Sequence, residues 1–137
     1  MKTFTLPKTE RLYLRGAIEQ LFAQGHGFIV YPYRVVYRTV PADEAATDPM
    51  GQVAIMTIAP KKKFKHAVDR NHVKRLTREA YRLNKLPLIE AMTQRGEKLQ
   101  VAFLYLDNKF LSFEETQARM QQIVRRLCDP HKKPVTA

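Results

Sequence analysis

The sequence predicts a small α+β fold, a layer of strands with helices packed on a face of it. Three observations predict it. Apolar residues recur at helical spacing in three stretches. Between them lie runs rich in β-branched and aromatic residues, the composition of strands. The resulting order is helix, strands, helix, strand, helix, with no internal repeat. With 137 residues and 45% apolar content, one core and one domain, residues 1–137, are expected.

Residues 1–10 are polar and contain a proline, so a loose arm is expected there. From about Leu12 to Gln24, Leu14, Ala17, Ile18, Leu21 and Phe22 have helical spacing, and Gly25 follows as a C-terminal cap. Residues 28–40, FIVYPYRVVYRTV, read as one strand with an irregular beginning or edge at Pro32. In it Tyr33, Val35 and Tyr37 share one face, and Arg34, Val36 and Arg38 the other. Residues 41–52 are polar and proline-bearing, a loop. Residues 53–59, VAIMTIA, are apolar enough for a central strand.

A loop, 61–66, leads to a helix from about Arg70 to Leu86, with Asp69 as its cap or a start a residue or two earlier, and with Pro87 at its end or just past it. The linker to about Gly96 is open to further helical turns. Residues 99–106, LQVAFLYL, are a strand. A last helix starts at Ser112, where Glu115 completes a Ser-x-x-Glu capping box; Phe113, Met120, Ile123, Val124 and Leu127 form its apolar face. Residues 129–137 are expected to fray.

Charge is concentrated in one place. Residues 61–85 hold ten lysines and arginines against two acids, +8 of a formal net +11. On a helical wheel with Arg70 at 0°, Lys74, Lys85, Arg78, Arg82 and Arg75 fall between ~40° and ~140°, with Asn71 near ~100°. Val73, Leu76, Ala80 and Leu83 fall between ~220° and ~300°, on the opposite side. A solvated face usually mixes signs. Here Glu79 is the helix's only acid beyond Asp69. The pattern points to a polyanion, nucleic acid above all.

Other chemistries are not encoded. No apolar run reaches the ~18–20 residues of a membrane span. The first residues lack the apolar centre of a secretory signal. The lone Cys128 excludes an internal disulfide and points to a reducing cytoplasm. His26, His66, His72 and His131 are dispersed. No nucleophile elbow, phosphate loop or dinucleotide fingerprint occurs. The acid pair Asp43/Glu44 falls in a loop, and Glu114/Glu115 suits a helix N-terminus. No intrinsic catalytic residue and no metal site of the protein is expected.

The stretch Ala67-Val68-Asp69-Arg70-Asn71-His72-Val73-Lys74-Arg75-Leu76-Thr77-Arg78-Glu79 resembles the signature of the bacterial ribonuclease P protein component, approximately Arg-Asn-Arg-hydrophobic-Lys-Arg-x-x-Arg after a Lys-Lys loop. Arg70, Asn71, Lys74, Arg75 and Arg78 match, with Lys61 and Lys62 as the loop pair. His72 departs from the pattern's second arginine, and Ile18 stands where many relatives carry an aromatic residue.

The resemblance implies a two-layer αβββαβα sandwich with a left-handed βαβ crossover, like one domain of a small-subunit ribosomal protein. It implies a large catalytic RNA that uses Mg2+ to remove the 5′ leader of precursor tRNA. The protein would be a non-catalytic, cytoplasmic subunit, monomeric without RNA and away from membranes. Lys61, Lys62, Lys63, Lys65, Arg70, Asn71, His72, Lys74, Arg75, Arg78 and Arg82 would bind RNA. Phe22, Tyr33 and Tyr37 would line a cleft for the single-stranded leader. The competing reading is a ribosome-associated or general RNA-binding module without a processing role. A DNA-binding protein ranks lower, for want of a helix-turn-helix pair or dimer seam.

Overall fold

The computed structural model describes residues 6–13, 15–46 and 48–129, so the expectations for residues 1–5 and 130–137 lie outside the described residues. A 3-10 turn at Lys8–Glu10 is followed by α1 (Arg15–Gln24), β1 (His26–Val30), β2 (Tyr33–Val40), α2 (Ala42–Ala45) and β3 (Val53–Ile58). Then come α3 (Ala67–Asn84), α4 (Leu86–Arg95), β4 (Lys98–Tyr105) and α5 (Phe113–Cys128). The sheet order is β1-β2-β4-β3, antiparallel except for the parallel pair β3/β4 that α3 and α4 connect. The expected αβββαβα order is present, with the short α2 and α4 added.

The single strand expected over residues 28–40 is a hairpin. Proline has no N–H for the ladder. At Tyr31–Pro32, a cis bond, the chain reverses, and Val30 pairs with Tyr33. The strand at 53–58 is at the sheet's edge rather than central, since β4 takes the inner position. Its outer side is covered by the residues just before α1: Arg11 bridges to Ile55, and Leu12, expected at the start of the first helix, instead donates its N–H to the Ile55 carbonyl at 2.6 Å. Glu10 Oε1 accepts from Lys85 Nζ at 2.6 Å, which ties the same segment to the α3–α4 junction.

Helix ends follow local chemistry. Ser112 and Glu115 form the expected capping box, with the Glu115 N–H on Ser112 Oγ at 3.1 Å. Phe113, first residue of α5, stays partly exposed rather than joining its apolar face. Asp69 lies in the first turn of α3, and His66 holds the cap position. α3 stops at Asn84, and Pro87 lies in the first turn of α4, where its missing N–H costs nothing. Gly96 ends α4 at φ 66°, a left-handed conformation that suits glycine.

β-alternation divides the core in two. Phe28, Tyr33, Val35, Tyr37, Ile55, Val101, Phe103 and Tyr105 face α3, α4 and α5 in the main cluster. Val36, Ala54 and Ala102 face the other way, against Leu12, Met50 and Leu21 of α1. Helices thus cover both sheet faces: the two-layer sandwich holds the main core, and α1 caps the second face. Arg38, buried on that face, donates to Gln24 Oε1 (3.2 Å), Gln100 Oε1 (3.4 Å) and both oxygens of Glu44 (2.9 and 3.0 Å). Those bonds offset the cost of burying a guanidinium.

Two buried tyrosines make opposite predictions. Among the described residues, the buried Tyr81 hydroxyl has no hydrogen-bond partner. Tyr81→Phe removes an unsatisfied group and is expected to raise the unfolding free energy by about 1 kcal/mol. Tyr33→Phe loses the bond to Thr77 Oγ1 and is expected to lower it by about 1 kcal/mol. Urea midpoints at constant slope check both. Burial, then neighbouring Tyr33 and Asp107, push the Tyr105 phenol up to about 12. Burial also raises Tyr33 and Tyr81. Above the ordinary value of 10.0 the folded state therefore holds protons that the unfolded chain has released. Stability is expected to be undiminished by these groups below about pH 10 and to fall as pH rises toward about 12, as denaturation across alkaline pH will read.

Candidate nucleic-acid interface

The lysine-rich loop is held by its one apolar residue. Phe64 is buried against Tyr105, ring centroids 5.8 Å apart, while Lys61, Lys62, Lys63 and Lys65 around it stay exposed. The N–H groups of Lys63 and Phe64 both donate to the Pro60 carbonyl, at 3.0 and 3.1 Å. Arg70 Nη1 donates to the carbonyls of Phe64 (2.9 Å) and Lys65 (3.1 Å), fastening the loop to the first turn of α3. Arg70 is partly exposed, so its guanidinium organises the surface as well as adding charge to it.

α3 is rotated from its expected setting. Its buried residues are Val73, Thr77, Ala80 and Tyr81. On the wheel they run from ~280° through ~340° to ~20°, so the core side is displaced by roughly 60° from the expected centre. The hydroxyls of Thr77 and Tyr81 had marked these positions as polar. Thr77 Oγ1 donates to the Val73 carbonyl at 2.9 Å and meets Tyr33 Oη at 2.8 Å, so it is buried with partners. Leu83 is exposed as a result, and Leu76 is half-buried.

The rotation sorts the cations. Asn71 and Arg75 point fully outward; Lys74 and Arg78 flank them, partly exposed. Among the described residues, no ion pair engages Arg70, Lys74, Arg75 or Arg78. Arg82 pairs with Glu79 at 2.7 Å, an exposed pair that offsets part of its charge. Lys85, expected in the cationic arc, is 3% exposed and bonded to Glu10, so it is no part of the surface. His72 turns toward the loop before α5: its ring meets Phe110 at 4.9 Å, edge to face, and Arg75 Nη2 lies 3.5 Å from its Nδ1.

Two open grooves border this face. The larger, about 590 Å3, is lined by Val68, Asp69, Asn71, His72, Arg75, Arg78 and Phe110. The smaller, about 240 Å3, lies between Lys74 and Arg78 of α3, the strand residues Ile55, Met56 and Thr57, and Arg11 with Leu12. Arg11 and Phe110 had no sequence signal: each is isolated in the chain, and only the Arg11–Ile55 bridge and the β4–α5 loop bring them here.

The three aromatic residues expected in a leader cleft do not come together. Phe22 is 46% exposed on α1. Tyr33 is 1% exposed and Tyr37 4%, both on the sheet face toward α3 and α5, opposite to α1. Tyr37 packs on His26 and Phe28, each at 5.9 Å, and burial raises its pKa. Strand alternation decides it: the face of β2 that meets α1 carries Val36. Tyr33 and Tyr37 are core residues, unavailable for stacking.

Among the described residues, no group of three or more His, Cys, Asp or Glu is placed to hold a metal ion. No helix among them is long and apolar enough to cross a membrane.

An α+β domain whose central helix docks by one side and presents unneutralised cations on the other belongs to the class of RNA-binding proteins. Residues 6–128 match the family Ribonuclease P. The chain is 42% identical over 125 residues to the ribonuclease P protein component of Porphyromonas gingivalis, covering 91% of this chain and 88% of that one. It is 32% identical over 136 residues to that of Chlorobaculum tepidum, 92% and 84% covered. The fold is similar to that of the solved RNase P protein of Thermotoga maritima (TM-score 0.65, 19% identity, 85% and 96% covered). It is also similar to that of the Staphylococcus aureus protein (TM-score 0.63, 16% identity, 85% and 93% covered). The chain belongs to the ribonuclease P protein family, the protein subunits of an endoribonuclease ribonucleoprotein of tRNA 5′ processing.

Two substitutions separate surface charge from structural charge. Arg75→Ala is expected to flatten the salt dependence of RNA affinity by ~0.7–0.9 log units per lost phosphate contact. Lys85→Met is expected to leave that slope alone and to lower stability by roughly 1–3 kcal/mol, through the loss of the Glu10 bond. Binding titrations over a salt series and urea melts of both variants check this.

Proposed function

We propose that this protein binds the catalytic RNA of ribonuclease P through α3 and the lysine loop, and helps that RNA hold precursor tRNA by its 5′ leader. The observation that carries the reading is the surface formed by Lys61–Lys65, Asn71, Lys74, Arg75 and Arg78, with no internal counter-charge on Lys74, Arg75 or Arg78 among the described residues. Cations fixed in this way lower the repulsion between two RNAs, and the release of counterions strengthens the complex at low salt. The chemistry, in this reading, is the RNA's: magnesium ions held by RNA ligands, with the protein contributing affinity and placement. The protein acts in the cytoplasm and is a monomer until it meets RNA.

Phe22 is the aromatic residue available on α1 for stacking a leader base. His72 contributes by position beside Arg75 rather than as a replacement for the expected arginine's charge.

Reconstitution tests the proposal. With the catalytic RNA encoded in the same genome, the protein is expected to permit leader removal at low magnesium, and to be inert alone. Cleavage by the protein alone, or no gain over RNA alone, would overturn it, as would co-purification with ribosomal RNA instead. Phe22→Ala is expected to weaken binding of precursor tRNA by about tenfold while leaving mature tRNA unchanged. Equal weakening of both would remove Phe22 from leader binding.

A further inference from the structure

Several large apolar side chains are exposed outside the lysine loop and the cationic row of α3, among them Tyr13, Tyr31 and Phe110. Phe110 lies in the loop between β4 and α5 and is 48% exposed, beside the larger of the two grooves that border α3. An exposed phenylalanine alone would be unremarked. This one is mounted on a column of rings that runs down into the core.

Phe110 stacks on Phe64 with centroids 5.2 Å apart and planes 5° from parallel. Phe64 meets Tyr105 at 5.8 Å, and Tyr105 meets Tyr33 at 5.3 Å, edge to face. The loop that carries Phe110 is held by Tyr105 Oη, which donates to the Lys109 carbonyl at 2.6 Å. His72 fixes the ring from the side, 4.9 Å away at 79°. One face of a flat ring is therefore used for support, and the residue as a whole remains exposed. Beside it are Arg75, Arg78 and Asn71, two cations and an amide with donor and acceptor.

We propose that Phe110 is a stacking platform for one unpaired nucleobase of RNA, whose phosphate meets Arg75 or Arg78 and whose sugar or base edge meets Asn71. The inference rests on the RNA-binding reading and goes beyond it, because it adds a base-contacting site to a surface otherwise explained by phosphates. A rigid aromatic face at the border of a cationic groove is what single-stranded nucleic acid requires. Stacking contributes affinity without base-edge readout, so the site accepts any base. The groove, about 590 Å3, is within the size range of small-ligand sites. A base inside a continuous duplex does not fit, since neighbouring pairs already cover both its faces.

The chain has no tryptophan, so Phe110→Trp gives the full-length protein a single fluorescent reporter at this position. Titration with a short oligoadenylate, and then with the catalytic RNA, is expected to quench that emission at saturation. Phe110→Ala is expected to weaken catalytic-RNA binding about 5- to 100-fold without changing its salt slope, because the lost contact is uncharged. Phe110→Tyr is expected to retain affinity. Phe110→Leu, apolar but not flat, is expected to lose it with an unchanged melting temperature.

Two RNAs offer unpaired bases, and the arms separate them. Loss of affinity for the catalytic RNA alone assigns the base to that RNA. Loss confined to precursor over mature tRNA in the assembled enzyme assigns it to the leader. If the wild-type protein binds RNA but the Phe110→Trp signal is unmoved and Phe110→Ala binds normally, the platform is overturned and the RNA-binding reading stands. If Phe110→Leu binds as well as wild type, the ring is loop packing and the proposal likewise fails. If the wild-type protein binds neither probe, both readings fail together.

Discussion

A single hydrogen bond between two hydroxyls sets the geometry of the surface. Tyr33 Oη and Thr77 Oγ1 meet at 2.8 Å inside the main core, one on β2 and the other on α3. Tyr81, one turn further along α3, packs on Phe103 at 5.9 Å. A helix that must bury both of these residues has little rotational freedom about its axis. Every cation on it inherits that constraint: Arg75 is sent outward, Lys74 and Arg78 to the β3 side, and His72 toward Phe110. The polar bond inside the core is therefore what aims the charges outside it.

The exposed charge is unfavourable for the isolated chain. Residues 61–85 carry +8 of the net +11, and much of it has no acid to face. Like charges on one helix repel, more strongly at low salt. The fold offsets this with apolar anchors placed between the charges. Phe64 is set among four lysines, and Val73 and Ala80 lie among the arginines of α3. A buried phenylalanine contributes roughly 1.5–3 kcal/mol, enough to hold a loop against such repulsion. Neutralisation is left to the nucleic acid, so folding does not use up the charge that binding needs.

How much of this was legible depended on the residue type. The three long helices, the capping box at Ser112 and the helix break before Pro87 were all readable, because each follows from local chemistry. The basic helix and its loop were readable because charge pattern is additive along a sequence. What misled were side chains with two natures. Thr77 and Tyr81 carry hydroxyls yet belong to the core, and omitting them turned the wheel by roughly 60°. Tyr33 and Tyr37 suggested a stacking surface, but which sheet face meets α1 is set by pairing between distant strands. Lys85 read as one more cation because its partner, Glu10, is 75 residues away. The hairpin at Tyr31–Pro32 was hidden inside one continuous run rich in β-branched and aromatic residues. Arg11 and Phe110 were invisible for the same reason as Glu10: tertiary contact alone gives them neighbours.

The bridge from Arg11 to Ile55 has an effect beyond local packing. Strand borders present rows of unpaired amides and carbonyls that invite a foreign strand to add on. Here one border of the sheet is already taken by the chain's own leading segment, with the exposed arginine side chain standing guard over it. A second molecule approaching along that rim meets, at Ile55, a carbonyl already bonded to Leu12 and an arginine of like charge. The same few residues that complete the smaller groove thus also occupy part of the sheet's edge.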